Sequence, residues 1–533
     1  MKNFKVKVFL PMCFALIVTI CALGLAACNK NGTAADTLAV GTTMTVDSLN
    51  RLASTGGDSG YNYLMLSSTL AQVPLVYSEG GRISSVLCDI SVSDGGLKYT
   101  FALKDGFKWH DGEDVTVDDL LFTLQSNLSG ETVDVQSGAA VVSLKKPQAR
   151  FLDSLLGVLI MPKHLLEGET ASTITDEKSV IGCGPFKFTK RNIEAGTIEF
   201  EKFDGYPYAD KVSFKKVVFR HFGSEDTMRL ALKAGEIDII WNYGYGLNAD
   251  GASDFEKADG IKLESYTVKA VPKVLFFNNA KLTDTRVKRA IRKAIDYEKI
   301  GRIFGTKGAS LPREGFVAPD IFGYTQTAQL TKDLAGARAL LKEAGYSEDN
   351  KFDFELLVRA DNNDTQYADL IKTDLEETGL ISVKLKSIAG AQQWQAYYRA
   401  GSHMASLASV TEAGYSFEAG YATRYLLAAD NYVMRDSFPQ GNPVCHGNID
   451  IGTPDNLTEF GGIRQALADA RNSDELNEAV AAYQNYIVEN APCIALMYDS
   501  KVQALSKKLD GYRADATFGL LNVQGFVTLK KTV

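Results

Sequence analysis

Histidine is scarce in this 533-residue chain: there are five, at 110, 164, 221, 403 and 446, and none stands at a metal-ligand spacing. There is no HExxH zinc helix, no GxSxG nucleophile elbow and no CxxC pair. Basic charge is in deficit as well. The 57 Lys and Arg against 65 Asp and Glu give a net charge of −8, without the basic footprint of a phosphate-backbone binder, so no nucleic-acid partner is expected. Repeats of 20–50 residues and low-complexity tracts are absent too. What remains is ordinary globular composition, 45% hydrophobic and 23% charged, in a chain long enough for about three or four domain-sized units.

Isolated fragments imitate catalytic motifs and lack their contexts. Gly57-Asp58-Ser59-Gly60 matches the serine environment of chymotrypsin-like proteases, but that fold needs its general-base histidine before the serine, and the first histidine here is His110. Gly244-Tyr245-Gly246 follows a strand but opens into Asn248, Asp250 and Gly251 rather than a helix, so a pyrophosphate would lack its helix N-terminus. Gly301 to Lys307 has the wrong spacing for a phosphate loop. Paired carboxylates Asp118/Asp119 and Glu376/Glu377 lie at helix starts or on polar faces. Cys445-His446 with the distant His403 is the one conceivable metal cluster, and it reads as structural. No catalytic residue, metal or cofactor is expected.

The N-terminus is a separate object. Lys2, Lys5 and Lys7 precede an apolar run from Val8 to about Leu23, and Ala26 and Ala27 close it before Cys28, the layout of a secretory signal. An uncleaved membrane anchor is the rival reading. Leu25-Ala26-Ala27-Cys28 resembles a bacterial lipobox, which implies lipidation at Cys28 and a polar tether over 28–36. Removing residues 1–27, with three lysines and no acid, leaves 506 residues (533 − 27) and moves the charge from −8 to −11. Cys88, Cys183, Cys445 and Cys493 remain, with no close pair, and are read chiefly as buried thiols.

Periodicity predicts an α/β chain. Strands are expected at Thr37 to Gly41, Tyr99 to Leu103, around Lys187 to Thr189, Thr197 to Lys202, Ile237 to Trp241, Val274 to Phe277, Phe352 to Val358, Ile381 to Leu385 and Cys493 to Tyr498. Asp105-Gly106 should turn Tyr99–Leu103 into a hairpin with 107–109. Thr116 and Asp119 form a capping box before Val117, Leu120, Leu121, Leu124 and Leu128. A helix over 285–300 carries Arg286, Lys288, Arg289, Arg292 and Lys293 on what reads as a solvated face. Thr331 should cap the helix ending at Gly345. The strand, helix and strand over 352–385 read as a βαβ unit.

These units, in order, resemble the family 5 solute-binding proteins of ABC importers, the oligopeptide-, dipeptide- and nickel-binding group. The stretch from Tyr99 to Phe122, with Lys104-Asp105-Gly106 and Trp109-His110-Asp111-Gly112, carries most of the resemblance. Gly182-Cys183-Gly184-Pro185-Phe186 resembles the family's Gly-Thr-Gly-Pro-aromatic loop, with Cys183 for Thr. Leu232 to Asp238, Phe276 to Asp296, Ala337 to Tyr346 and Ala491 to Tyr498 match further family blocks, the last with Ala495 for a second Pro.

The resemblance implies a two-lobed periplasmic-binding-protein-like fold, type II or cluster C, with an accessory domain and a hinge. Lobe I would comprise 37–55, 180–268 and 495–533, the accessory domain 56–179, and lobe II 269–494, with hinge crossings near 266–273 and 491–496. It implies a monomeric lipoprotein held outside the cytoplasm. Such a receptor passes a peptide or similar small solute to an ABC permease and its ATPase subunits and performs no chemistry itself. Peptide-binding relatives pair an aspartate of the second lobe with the ligand's amino group. The corresponding stretch here, Leu407 to Gly420, has neither Trp nor Asp, so Glu412 is the candidate, with Glu418 its equal, Tyr415 a stacking wall and Arg424 a carboxylate receiver. Met44, Tyr243 and Tyr245 are placed by resemblance at the cleft. Two alternatives stay open: a nickel or metal-chelate binder of the same fold using His403, Cys445 or His446, and a secreted surface hydrolase.

Overall fold

The computed structural model describes residues 35–52, 59–79, 82–128, 130–149, 151–241, 247, 249–306, 308–317, 324–360, 363–410, 449, 452–453, 455–512 and 528–532. An eleven-stranded mixed sheet organises them. From one edge its order is Ile381–Ile388, Phe352–Arg359, Ala405–Val410, Ile261–Phe277, Asp499–Ser506, Ile239–Ile240, Thr37–Thr42, Lys216–His221, Thr197–Lys202 and Phe186–Asn192, with Cys493–Ala495 also paired to Ile261–Phe277. A second, four-stranded antiparallel sheet is formed by Cys88–Ser93, Lys98–Leu103, Ala139–Ser143 and Thr132–Gln136.

The strand Ile261–Phe277 joins the two halves of the large sheet. Its 17 residues span roughly 55 Å at ~3.3 Å each, several times the usual strand. Residues 261–270 pair with Asp499–Ser506, from Ile261↔Ser506 to Ala270↔Asp499. Val274 to Phe276 pair instead with Cys493–Ala495, and Val274 to Phe277 also with Ala405–Val410. One register shift, between Tyr266 and Lys269, falls within the pairing to Asp499–Ser506; another, between Val271 and Val274, falls where the strand exchanges that partner for Cys493–Ala495.

The sequence pattern explains the layers. Leu275 and Phe277 face a core with Ile291, Phe354, Leu356 and Ile371, while Val274 and Phe276 face another with Tyr483 and Ile487. Four consecutive apolar residues are needed because both faces of the strand are covered. In the other half, Leu38 and Val40 join Phe186, Phe200 and Phe219, and Ala39 faces Met228, Leu232 and Ile237. The accessory sheet packs its own core of Phe101, Trp109, Leu120, Leu124 and Val142.

Several expectations need correction. Lys98–Leu103 pairs with Cys88–Ser93, not with 107–109, because Asp94, Gly95 and Gly96 all adopt positive φ and reverse the chain one strand earlier. Residues 107–115 form their own tight hairpin, with Trp109 N–H donating to Glu113 O and Val115 N–H to Phe107 O. The helix over 285–300 is two helices, Thr285–Ala294 and Tyr297–Phe304, because Asp296 breaks the ladder and caps the second through Lys299 N–H at 2.8 Å. Asp333, not Thr331, caps Leu334–Glu343, accepting from Gly336 N–H at 2.8 Å. The cationic face is not wholly solvated either. Lys288 and Arg292 are buried, and Arg292 donates to the carbonyls of Ile487 and Val488 and pairs with Glu314 at 3.1 Å. Val488 O lies in the last turn of the helix Ser473–Asn490, where carbonyls lack intrahelical donors, while Ile487 O also accepts from Ala491 N–H. The closing strand stops at Ala495, and a separate one begins at Asp499.

Candidate ligand-binding cleft

Each half of the large sheet contains a parallel trio. Thr37–Thr42 lies between Lys216–His221 and Ile239–Ile240, and Phe352–Arg359 lies between Ile381–Ile388 and Ala405–Val410. In open α/β sheets, ligands bind beyond the carboxyl ends of such strands. The candidate residues follow those ends in sequence: Met44 after Thr42, Tyr243 and Tyr245 after Ile240, and Glu412, Tyr415 and Arg424 after Val410.

Only Met44 among them lies within the described residues. It is half-buried, packs against the core of Leu38 and Phe219, and donates its N–H to Thr42 Oγ1 at 3.1 Å. With Thr42, Asp47, Arg191 and His221 it lines a cavity beyond the strand ends, and Arg191 Nη1 holds the Asp47 carbonyl at 2.8 Å. Cys28 with the signal region, Gly57-Asp58, Tyr243, Tyr245, Glu412, Tyr415, Glu418, Arg424, Cys445 and His446 lie outside the described residues.

The motifs with the strongest resemblance turn out to build architecture. Asp119 accepts from Thr116 N–H (2.8 Å), Thr116 Oγ1 (3.1 Å), Lys163 N–H (2.8 Å) and the indole N–H of buried Trp109 (3.3 Å). It gathers a turn and the starts of two helices, its own and Lys163–Leu166, on one carboxylate. His110 accepts from Gly182 N–H at Nδ1 (3.3 Å), and its Nε2 lies 3.1 Å from Gly184 O, which fixes a neutral ring between the two glycines. Gly184 N–H donates to Ala71 O and Phe186 N–H to Leu70 O, so the Gly-Cys-Gly-Pro loop runs against the backbone of 70–71.

His403 is buried and stacked on Tyr398 at 4.8 Å, which stacks in turn on Trp394 at 4.8 Å. Its Nδ1 has no partner, and no group of three or more His, Cys, Asp or Glu that could hold a metal occurs among the described residues. Cys88, Cys183 and Cys493 are free, buried thiols whose pKa burial raises. Gly301 to Gly305 closes a helix C-terminus, where carbonyls rather than N–H groups would meet a phosphate.

Burial pushes His110 and His403 down to about 4 from 6.5. Unfolded chains take up these protons near pH 6.5, whereas the fold refuses them until about pH 4. Stability is therefore full above about 6.5 and falls as pH drops toward 4, by up to about 3 kcal/mol per residue. Urea unfolding at pH 7 and 4.5 should show this loss. His403→Phe, which keeps a stacking ring and deletes the proton site, should remove about half of the part that these two residues contribute.

At the crossing between the halves, buried Lys273 pairs with buried Asp364 and lies 5.7 Å from the centroid of the Tyr367 ring. Asp499 accepts from Thr306 N–H (3.0 Å) and Ser500 N–H (2.9 Å), pinning the return strand. Neither contact follows from the sequence periodicity, although a lysine inside the apolar run Val271 to Phe277 is a visible signal.

Residues 82–431 match the sequence profile of the family described as bacterial extracellular solute-binding proteins, family 5 Middle. Over 478 residues the chain is 24% identical to the oligopeptide-binding protein AppA of Bacillus subtilis (strain 168), covering 81% of each chain. It superposes on the structure of AppA from that species in complex with a nonapeptide with a TM-score of 0.67, 19% identity and coverage of 93% and 99%. CtaP, an ABC transporter substrate-binding protein of Listeria monocytogenes, gives 0.76 at 21% identity, with coverage of 93% and 99%. NikZ of Campylobacter jejuni, in complex with Ni(L-His), gives 0.69 at 20% identity, with coverage of 94% and 100%. The two-lobed α/β fold expected from the sequence is the fold observed.

Proposed function

Because the chain belongs to family 5 of the bacterial extracellular solute-binding proteins, we propose that it captures an oligopeptide or similar small solute between its lobes and delivers it to an ABC permease driven by ATPase subunits. The observation that carries this reading is the pair of parallel trios joined through one continuous strand, with candidate side chains following the carboxyl ends of both. Extended peptide would add as a strand, its ends received by Glu412 or Glu418 and by Arg424, against Met44, Tyr243, Tyr245 and Tyr415. Closure is a hinge motion about the crossings, which the partner exchange at 270–274 and 495–499 supports. Lobe I takes in 37–55, 180–268 and 495–533, lobe II 269–494, and 56–179 the accessory domain. No bond is made or broken in the solute. The receptor is a monomer tethered outside the cytoplasm by lipid on Cys28, and no described helix is long and apolar enough to cross a membrane.

Nickel-chelate capture is the second reading, favoured by the likeness to NikZ. The enclosed position of His403 argues against its serving as a ligand there. Thermal unfolding with a mixed nonapeptide pool, and separately with Ni(II) plus L-histidine, separates the two. A ligand at about 100 times its Kd adds roughly 2.7 kcal/mol, a shift of several degrees. Peptide is expected to give that shift and nickel none; the reverse would replace the peptide reading with the nickel one.

A further inference from the structure

The accessory sheet ends in an arm that touches the second lobe. Strand Ala139–Ser143 continues into 144–149, which remains tied to its own sheet: Leu144 N–H donates to Leu97 O at 2.8 Å, Lys145 N–H to the Glu131 carboxylate at 3.2 Å, and Gln148 Nε2 to the same carboxylate at 3.4 Å. Pro147 stiffens its middle. The tip leaves that body. Ala149 N–H donates to Ala470 O at 2.9 Å, Lys146 pairs with Asp469, and Ala149 packs against the cluster that holds Ala470, Phe460 and Leu476. That cluster also contains Val274 and Phe276, the second-lobe end of the long strand.

We propose that residues 146–149 and 469–470 form a latch that holds the lobes closed independently of solute contacts, and so sets the closed fraction and the residence time of the solute. The inference rests on the hinged reading above. Rotation about the two crossings separates Ala149 from Ala470, because one moves with the accessory sheet and first lobe and the other with the helix Glu459–Asp469 of the second. The strength of the contact suits release. Lys146 and Asp469 are 53% and 41% exposed, and a partly exposed ion pair with one backbone hydrogen bond makes a weak, reversible tie. No residue of the latch belongs to the candidate solute site.

The test is hydrogen exchange at the Ala149 amide together with the radius of gyration from small-angle scattering, both on the full protein without added solute. Asp469→Lys places two cations face to face. It should speed Ala149 exchange about tenfold and raise the radius of gyration, while circular dichroism stays native. The swap Lys146→Asp with Asp469→Lys should restore both, which loss of the Gln465 bond to Asp469 would not predict. Unchanged exchange overturns the latch, as does faster exchange with an unchanged radius, or a swap that fails to restore. These readouts need no peptide, so their failure leaves peptide capture standing, and failure to bind peptide leaves the exchange result standing.

Discussion

Gly182→Ala is expected to remove about 4 kcal/mol or more of folding stability, or to leave no soluble protein. A Cβ at Gly182 would stand 1.6 Å from Ala71 O and 2.5 Å from Ala71 C, and one at Gly184 would stand 2.1 Å from Leu70 O. The obstacle is backbone, and it cannot yield cheaply. Gly184 N–H and Phe186 N–H are bonded to those same carbonyls, and His110 holds the loop from its other side. Ordinary overpacking costs about 1–3 kcal/mol, and here hydrogen bonds of a buried turn break as well. Gly301→Ala is the control: nothing lies within 4 Å of its added Cβ, and a helical Gly→Ala change should be neutral or stabilise by up to about 1 kcal/mol. Urea unfolding measures both. A Gly182→Ala midpoint equal to the parent's would overturn the close-approach account.

Lys273→Met should cost about 3–5 kcal/mol, because it strands the buried Asp364 carboxylate. Asp364→Leu should cost more. Asp364 occupies the first turn of the helix Asp364–Glu376, whose N-terminal dipole favours a carboxylate and opposes a lone ammonium. The difference should be about 1 kcal/mol. Lys273→Met with Asp364→Leu removes both charges and should recover most of the loss, since an apolar replacement for a buried pair is often neutral. Equilibrium unfolding of the three variants checks the order. Equal costs for the single and double changes would mean that the pair is not what holds the crossing.

Local chemistry made much of the fold legible. Alternation placed Lys98–Leu103, and the capping box placed Val117–Asn127, because each rests on neighbours a few residues away. Errors came where a distant partner decided. The apolar stripe over 285–300 runs on through Ile295, but Asp296 stops the first helix by capping the next, and Asp374 also holds its N–H at 2.9 Å. Arg292 reads as solvated until the carbonyls of 487–488, nearly 200 residues later, are beside it. The family-like blocks were readable for a further reason: Asp119, Trp109, His110, Gly182 and Gly184 each meet several backbone groups at once. The solute site was less legible. The proposed site draws its side chains from several loops, and of the proposed peptide contacts only Met44 has described surroundings. Glu412 and Glu418 both follow the strand Ala405–Val410 in sequence, the first more closely than the second, and spacing alone does not choose between them.

Native mass spectrometry of the purified protein distinguishes capture of a solute from its conversion. A bound mass is expected that resolves on denaturation into intact peptide, unchanged after prolonged incubation. A nickel chelate in its place, or a peptide that shortens with time in the presence of this protein alone, would contradict that expectation.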